Sequence, residues 1–456
     1  VLKSKDAQVS AGTLNTDGSL VIKATGIGAN TMLARIIRMV RAAQSSKPAI
    51  AKLADQISSV FVPVVVGIAI FAALIWFAVG PEPKASYMLV VTTTVLIIAC
   101  PCALGLATPL SVTVGVGKAA ELGILIKDAD ALQLASKIDT VVFDKTGTLT
   151  QGKPSVQQVF TQDATSQEHL LALAYAAERQ SEHPLAKAVC DYAKQHNTDS
   201  IELDSFENIR GRGITATYQA QPLFIGSLQF MQTEQIDISP MERAIQDCAN
   251  KAWTPVAIAL NNKLIGLIAI TDPIKPDAKQ AVSALTSQGI KTVMLTGDNQ
   301  HVADAIGKEL GIDSIMAQVM PDEKAQHIEQ LQSQGLTVAM IGDGINDAPA
   351  LALADLGVAM GSGSDVAIES SQMTILNTSP MAVVHAIELS RATLKNMKQN
   401  LFGAFVYNSL GIPIAAGVLY PVFGFLLSPV VAGAAMALSS ITVVSNANRL
   451  RLFTIK

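Results

Sequence analysis

Three apolar runs in this 456-residue sequence each end in a group of carboxylate, hydroxyl and glycine residues. Asp144 follows the β-branched run at 140–143 and opens the segment Asp-Lys-Thr-Gly-Thr-Leu-Thr. The second group is Thr-Gly-Asp at 296–298, and the third is Gly-Asp-Gly-Ile-Asn-Asp at 342–347. Parallel strands of an open α/β sheet carry their chemistry at their carboxyl ends, so we expect the three groups to meet at one sheet edge.

Such an edge is suited to phosphoryl transfer. Asp144 can act as a nucleophile that forms an aspartyl phosphate, and carboxylates from neighbouring strand ends are hard ligands that can hold Mg²⁺. Lys324 can offset the charge of the transferred group, while hydroxyl groups and glycine-loop amides can hold phosphate oxygens. The alternative is that these are ordinary turn residues, but three such groups in this order argue against it.

These segments, with Ala348-Pro349 after the third, resemble the signature motifs of the P-type ATPases, whose catalytic domain has the haloacid dehalogenase fold. The resemblance covers nearly the whole chain. It implies that ATP phosphorylates Asp144, and that Asp144, the main-chain carbonyl of Thr146 and Asp343 bind Mg²⁺. The catalytic residues that it implies are Asp144, Lys145, Thr146, Thr296, Gly297, Asp298, Lys324, Asn346 and Asp347.

The segment from about Gln157 to Ile268 interrupts the alternation of strand and helix patterns, so we expect an inserted domain. It contains Glu178, Ser-Glu-His-Pro-Leu at 181–185 and Gly-Arg-Gly at 211–213. By themselves, a histidine before proline is more often structural and a short Gly-x-Gly carries little weight. The His-Pro pair resembles the nucleotide-binding motif of the heavy-metal branch of the family, which implies an adenosine site formed by Glu178, His183, Gly211 and Gly213. Ser227 departs from that branch, which usually has Asn there.

Two pairs of long apolar stretches flank the soluble region. No charged residue occurs between Asp55 and Glu82 or between Lys398 and Arg449. Because a helix needs about 20 apolar residues to span a bilayer, we expect four transmembrane helices, at 57–80, 86–110, 401–420 and 425–446. Lys and Arg cluster on one side of these helices, at 35–52, 118–145, 391–398 and 449–456. The positive-inside rule then places both ends and the large loop in the cytoplasm.

Cys100-Pro101-Cys102 lies inside the second predicted span. Residues i and i+2 of a regular helix do not share a face, but the proline removes an amide hydrogen bond and kinks the helix, so both sulfurs can face one cavity. Thiolates are soft ligands that favour Cu(I) and also bind Zn²⁺; the alternative is two small cysteines beside a packing kink. Cys190 and Cys248 are scattered, so the four cysteines form no disulfide framework and suit a reducing compartment.

The last two predicted spans contain no Asp, Glu, Lys or His. A divalent cation is expected to need a carboxylate, so a soft monovalent ion is favoured. Met436 and Ser440 are spaced i, i+4 and share a helix face, although the small residues around Met436 also suit close helix packing. Together with Tyr407-Asn408 they resemble the Cu(I)-exporting subgroup. Asp55 resembles that subgroup's carboxylate at the metal entrance, with an interfacial surface charge as the alternative.

The composition is typical of a membrane protein with a large soluble part. Charged residues make up 15% of the chain, well below the usual quarter, and hydrophobic residues 50%. The net charge of −4 gives no basic footprint for nucleic acid. The expected partners are membrane lipid, ATP and, through the resemblance, a copper-delivering chaperone or small thiol. The resemblance implies the inner (plasma) membrane of a bacterium.

We therefore expect a multidomain membrane protein that combines α-helical spans with α/β domains. The expected order is the end of a β-rich actuator domain with its linker (1–45), a transmembrane pair with Cys-Pro-Cys (46–117), a haloacid-dehalogenase-like phosphorylation domain (118–152 and 271–398), an α+β nucleotide-binding domain inserted in it (153–270), and a second transmembrane pair with the tail (399–456). The family's Thr-Gly-Glu tripeptide is expected just before Val1. We therefore expect an amino-terminally truncated protein that is unable to complete turnover.

The leading hypothesis is ATP-driven export of Cu(I) or Ag(I) through an aspartyl phosphate, in which ATP, water and inner Cu(I) give ADP, phosphate and outer Cu(I). One alternative is a Zn²⁺- or Cd²⁺-transporting P-type ATPase. Another is a membrane-anchored metal sensor with a regulatory phosphatase-like domain. A stand-alone phosphatase is disfavoured because such enzymes usually have a second aspartate two residues after the nucleophile, where this chain has Thr146.

Overall fold

The computed structural model describes residues 48–162, 165–181, 184–199, 201–209, 213–251, 253–298, 300–321, 323–361 and 365–454, together with residues 22, 23, 41 and 43. Apart from those four positions, the predicted actuator segment at 1–45 lies outside the described residues. The chain divides into two compact units. One consists of 1–138, 372–376 and 385–456, and the other of 139–371 and 377–384.

The strands are β1 (Ile124–Ile126), β2 (Thr140–Asp144), β3 (Ser155–Thr161), β4 (Ser205–Ile209), β5 (Gly213–Tyr218), β6 (Gln221–Gly226), β7 (Thr254–Leu260), β8 (Lys263–Thr271), β9 (Lys291–Leu295), β10 (Ser314–Met316), β11 (Val338–Gly342), β12 (Leu356–Met360) and β13 (Met373–Ile375). The α-helices are α1 (Ala49–Val79), α2 (Lys84–Ile98), α3 (Cys102–Glu121), α4 (Ala129–Ala135), α5 (Gln167–Glu178), α6 (Pro184–Gln195), α7 (Leu228–Thr233), α8 (Glu242–Asn250), α9 (Ala278–Ser287), α10 (Gln300–Leu310), α11 (Lys324–Ser333), α12 (Ala348–Leu353), α13 (Asp365–Ser370), α14 (Met381–Ala415), α15 (Tyr420–Phe423) and α16 (Pro429–Asn448).

The unit formed by 139–371 contains a parallel sheet with the strand order β12-β11-β2-β9-β10. Its central strand, β2, pairs in parallel with β11 and β9, so that Phe143 lies opposite Ile341 and Met294. All five residues of β2 are buried, as its β-branched and apolar sequence predicts for a strand covered on both faces. The three polar groups therefore follow neighbouring parallel strands and share one edge of the sheet, which confirms the prediction.

The segment between Ser155 and Thr271 forms a separate antiparallel sheet, in the order β3-β8-β7-β6-β5-β4. Helices α5 and α6 cover it through a buried apolar cluster that includes Leu170, Val189 and Ile258. A second buried cluster packs Phe230 and Met231 of α7 against Ala257 of β7 and Leu267 of β8. An antiparallel sheet packed against helices is typical of an α+β domain.

Three helical segments in the described part of the chain are long and apolar enough to cross a membrane: Ala49–Val79, Lys84–Glu121 and Pro429–Leu452. These segments expose large apolar side chains, such as Phe71 at 67%, which suits a lipid environment. The predicted span at 401–420 lies only partly in α14, which begins at Met381 and ends at Ala415; residues 416–419 form turns. Polar residues including Asn400 and Asn408 make this part less apolar, and its crossing of the membrane stays a prediction.

Polar side chains form a hydrogen-bond network that connects α3, α14 and α16. Ser111 on α3 donates to the side-chain oxygen of Asn396 on α14 at 2.8 Å, and Asn400 donates to the Ser111 hydroxyl at 3.1 Å. The amide of Asn446 on α16 donates to Asn400 at 2.8 Å. Because each buried polar group is paired, its desolvation cost is offset.

The Cys-Pro-Cys segment interrupts the second span more strongly than predicted. Helix α2 ends at Ile98, and α3 begins only at Cys102. The three residues between them are outside regular helix, because Pro101 has no amide hydrogen and its ring clashes with the preceding turn. The sequence predicted a kink within one helix, and the structure instead has two helices joined by a break.

Candidate active site

Asp144 occupies the end of the central strand β2 and is 6% exposed. The loop after it turns at Gly147, whose φ of +72° is costly for residues with a side chain. An added Cβ at Gly147 would lie 1.8 Å from Oδ2 of Asp343. Glycine is therefore required here both by the backbone conformation and by the close approach of the Asp343 carboxylate.

Lys324 links two of the carboxylates at this edge. Its ammonium lies 2.6 Å from Oδ1 of Asp144 and 2.6 Å from Oδ1 of Asp347. The other oxygen of Asp347 accepts hydrogen bonds from the amides of Asp343, at 3.3 Å, and Gly344, at 3.0 Å. Asp347 is thus held by both oxygens and fixes the position of Lys324 beside Asp144.

Burial and like charge change the proton affinities of these groups. Burial, followed by the negative charge of Asp347, raises the pKa of Asp144 to about 7 despite the opposing effect of Lys324. The same two causes raise the pKa of Asp343 to about 6. Burial acts to lower the pKa of Lys324, but Asp144 and Asp347 outweigh it and the pKa is raised. A second cation beside the carboxylates would therefore favour their ionised forms.

The carboxylates fit a magnesium ion. One oxygen from each of Asp144, Asp343 and Asp347 lies within 4.8 Å of the others. Hard oxygen donors at such close range are the ligands that Mg²⁺ prefers. Both oxygens of Asp347 are engaged by Lys324 and main-chain amides, which favours Asp144 and Asp343 as the direct ligands.

The remaining predicted catalytic residues lie around this centre. Lys145 forms an ion pair with Asp298, so that two of the predicted residues engage each other. Thr296 is buried, and its hydroxyl accepts a hydrogen bond from the amide of Asp298 at 3.1 Å. Thr146, Gly297 and Asn346 are exposed, where they remain available to a ligand.

Two supporting residues that the sequence did not reveal lie just after β8, where the chain returns from the inserted domain. Lys275 is buried and donates to the main-chain oxygen of Gly147 at 2.5 Å. Asp272 accepts from the Thr150 hydroxyl at 2.5 Å and from the amide of Lys153 at 2.9 Å. The signal was the Asp-Pro-Ile-Lys sequence at 272–275, which the sequence analysis did not interpret as part of the site.

The predicted nucleotide residues are only partly described. His183 and Gly211 lie outside the described residues. Glu178 ends α5, is 7% exposed and lines a cleft of about 340 Å³; burial raises its pKa to about 7. Gly213 begins β5, where an added Cβ would lie 2.3 Å from the carbonyl oxygen of Ile225. Close packing against β6 thus accounts for glycine at this position.

The predicted copper residues lie in the unit with the apolar helices. Cys100 and Cys102 are joined by a disulfide, which the sequence analysis did not expect; thiolate ligands would require the reduced pair. Met436 is buried in an apolar cluster against which Cys100 also packs.

The other residues of the predicted copper path differ in exposure. Asn408 is 4% exposed, and its side-chain oxygen has no hydrogen-bond partner among the described residues. Tyr407 is 38% exposed, Ser440 is half-buried and Asp55 is exposed. The structure thus brings Cys100 and Met436 into one cluster, while Tyr407 and Asp55 remain at the surface.

A buried carboxylate beside a fixed lysine, at the carboxyl edge of a parallel sheet with an inserted domain, is typical of the haloacid dehalogenase class. The family of haloacid dehalogenase-like hydrolases matches residues 138–355. A crystal structure of a zinc-transporting PIB-type ATPase in the E2.Pi state is similar with a TM-score of 0.72 and 32% identity, covering 93% of this chain and 68% of that chain. The chain belongs to the P-type ATPases, in their PIB branch, and is an integral membrane protein.

Two curated relatives are exporters of copper and of silver. A copper-exporting P-type ATPase of Vibrio cholerae serotype O1 is 72% identical over 451 residues, which cover 99% of this chain and 49% of the relative. A silver exporting P-type ATPase of Salmonella typhimurium is 47% identical over 451 residues, covering 99% of this chain and 55% of the relative. The chain thus spans about half the length of these curated relatives.

Proposed function

We propose that this chain is the catalytic and ion-releasing part of an ATP-driven exporter of Cu(I), or of Ag(I), in a bacterial inner membrane. Phosphorylation of Asp144 would drive the movement of metal past the Cys-Pro-Cys segment. The catalytic loop and both chain ends would lie in the cytoplasm, where ATP is available, as the distribution of Lys and Arg supports.

The proposed chemical step is transfer of the γ-phosphoryl group to Asp144. One carboxylate oxygen attacks phosphorus, the bond to the β-phosphate oxygen breaks, and ADP leaves with its electron pair. Lys324, fixed by Asp347, stabilises negative charge at the transferred group and favours the ionised form of Asp144. Asp144, Asp343 and the Thr146 carbonyl would hold Mg²⁺, which supplies further positive charge to the phosphoryl oxygens when bound.

Glu178 supports a nucleotide site in the inserted domain. Its carboxyl group is mostly buried yet lines an open cleft, so it can meet a ligand in a partly desolvated environment. We propose that Glu178 and Gly213, together with His183 and Gly211, contact the adenosine of ATP.

The choice of a soft monovalent ion rests on the donors that the apolar helices offer. Cys100 and Met436 share one buried cluster, and Cys102 follows directly. Residues 399–448 contain no Asp, Glu, Lys or His to balance a divalent charge. This set of sulfur donors without carboxylates is the observation that carries the proposal, because thiolates and thioethers favour Cu(I).

The relatives support the same choice. The copper-exporting and silver exporting relatives are 72% and 47% identical to this chain, whereas the zinc-transporting structure is 32% identical. A copper chaperone or a small thiol would deliver the ion to the cytoplasmic side.

Metal-dependent phosphorylation of the full-length parent protein tests this proposal. Cu(I), Ag(I) and Zn²⁺ are compared side by side with labelled ATP, in the presence of a reductant that opens the disulfide. We expect Cu(I) and Ag(I) to stimulate labelling, and replacement of both Cys100 and Cys102 by serine to remove the stimulation. Stimulation by Zn²⁺ alone would overturn the choice of metal.

A further inference from the structure

A basic cleft of about 430 Å³ lies along the middle of α14, beside the end of α4. We call it the basic cleft. Its polar and aromatic walls are formed by Ser136, Arg391, Lys395, Lys398, Gln399 and Phe402. Neither the phosphoryl-transfer chemistry nor the proposed copper path uses these residues.

The basic cleft concentrates positive charge. Three of its residues are cations, and no acidic side chain lines it among the described residues. Lys395 and Lys398 are exposed, while Arg391 is half-buried and donates from Nε to the main-chain oxygen of Ser136 at 3.5 Å. Such an arrangement matches an anion that is large enough to meet several cations at once.

The position of the basic cleft along α14 indicates where that anion resides. Residues 391, 395, 398 and 402 are spaced by three or four positions and so share one face of the helix. Lys398 is the last charged residue before Arg449, and Phe402, one turn later, is 71% exposed. Cations thus give way to an exposed aromatic ring within one helical turn, which is typical of a membrane–water boundary.

We propose that the basic cleft binds the phosphate headgroup of an anionic glycerophospholipid. Arg391, Lys395 and Lys398 engage the phosphate, Gln399 contacts the headgroup, and Phe402 packs against the first carbons of an acyl chain. A free phosphate would use the cations but would leave Phe402 without a role, which is why a lipid is the better match. The proposal is independent of which metal the protein carries.

The test measures lipid binding to the purified full chain in a neutral detergent by native mass spectrometry. The probes are phosphatidylglycerol and phosphatidylcholine with identical acyl chains, and inorganic phosphate as a competitor. The variants are Lys395→Gln/Lys398→Gln, the charge-preserving Lys395→Arg/Lys398→Arg, and Phe402→Ala. Arg451→Gln is the matched control, since Arg451 is an exposed cation of the same predicted membrane face outside the basic cleft. Thermal melting verifies that each variant is folded.

We expect phosphatidylglycerol to bind more tightly than phosphatidylcholine. Each neutralised lysine should weaken phosphatidylglycerol about fivefold, hence roughly 25-fold for the pair. The arginine pair and Arg451→Gln should bind as the unchanged chain does. Phe402→Ala should weaken binding by about fivefold, from loss of apolar contact.

Several results would overturn the proposal. Equal binding of the two lipids would attribute phosphatidylglycerol binding to something other than the charge of the headgroup. If Arg451→Gln weakened phosphatidylglycerol binding as much as Lys395→Gln/Lys398→Gln does, the binding would be attributed to general surface charge. Displacement of phosphatidylglycerol by an equal concentration of inorganic phosphate would identify a free-anion site instead. If the glutamine pair does not fold, unchanged phosphatidylglycerol binding by Lys398→Gln alone would refute the proposal.

Discussion

Replacing Asp144 with asparagine should stabilise the metal-free protein at alkaline pH. Burial and Asp347 raise the pKa of Asp144 from its ordinary 3.8 to about 7. The folded state therefore binds a proton more tightly than the unfolded state does. Stability is then lost as the pH rises from about 4 to about 7 and stays low above pH 7. An asparagine side chain is never charged, so the Asp144→Asn variant should lack this dependence.

The size of the effect follows from the same shift. At about 1.4 kcal/mol for each pH unit, a rise from 3.8 to about 7 costs the ionised form about 4 kcal/mol. For a unit of this size about 1 kcal/mol shifts the melting temperature by roughly 2–4 °C. At pH 8, Asp144→Asn should therefore melt roughly 8–16 °C higher, whereas at pH 4 the two proteins should melt together.

Differential scanning fluorimetry in EDTA at pH 4, 6 and 8 measures this shift. Asp247→Asn is the matched control because Asp247 is exposed and should show little pH-dependent difference. Added Mg²⁺ should stabilise the unchanged protein at pH 8 more than Asp144→Asn, since it binds the ionised carboxylates. Equal melting of Asp144→Asn and the unchanged protein at pH 8, or a lower value for the variant, would refute the electrostatic reasoning.

Three further predictions concern the site. Lys324→Met should reduce phosphorylation by labelled ATP about 100- to 1,000-fold, as expected when a transition-state charge loses its partner. Gly147→Ala should reduce phosphorylation similarly, because the new methyl group meets Asp343, whereas Gly289→Ala, with φ +75° but open space around it, should retain it. In nucleotide titrations, affinity should fall as the pH rises through about 7, because Glu178 becomes ionised there and covering a charged carboxylate with adenosine costs more desolvation; Glu178→Gln should flatten this profile.

Each of these has an outcome that contradicts it. Near-normal labelling of Lys324→Met would show that the lysine is not needed beside the nucleophile. Equal loss in Gly147→Ala and Gly289→Ala would attribute the effect to glycine replacement in general. A pH profile of nucleotide binding that is unchanged in Glu178→Gln would assign the titrating group elsewhere.

The sequence predicted the catalytic edge well because its signals are local. A buried parallel strand has a recognisable apolar, β-branched pattern, and a polar residue that ends it is visible directly. Asp144, Thr296 and Asp343 could therefore be placed at one edge before any contact was known. Lys324 could be associated with them through the resemblance, and its position between Asp144 and Asp347 follows that expectation.

The contacts that hold the edge together could not be predicted in the same way. Lys275 meets the carbonyl of Gly147, and Asp272 meets Thr150, across more than 100 residues of chain. Neither pairing has a local pattern, because an inserted domain separates the partners. The ion pair of Lys145 with Asp298 likewise depends on which strands are neighbours.

In the unit with the apolar helices, the positions where helices end were harder to predict than the presence of the helices. A proline between two cysteines has the same sequence pattern whether it kinks a helix or breaks it, and the structure has a break after Ile98. Hydropathy also changes at Lys398 while α14 continues through that point from Met381 to Ala415. Polarity marks the expected membrane boundary, whereas backbone hydrogen bonds decide where the helix ends.

The most direct test of the central claim is the site of phosphorylation by ATP. The chain is incubated with γ-labelled ATP, Mg²⁺, Cu(I) and a reductant, quenched in acid and mapped by peptide mass spectrometry. We predict one acid-stable, hydroxylamine-sensitive label at Asp144, and none in Asp144→Asn. Label at another residue, or label that persists in Asp144→Asn, would contradict the assignment of Asp144 as the phosphoryl acceptor.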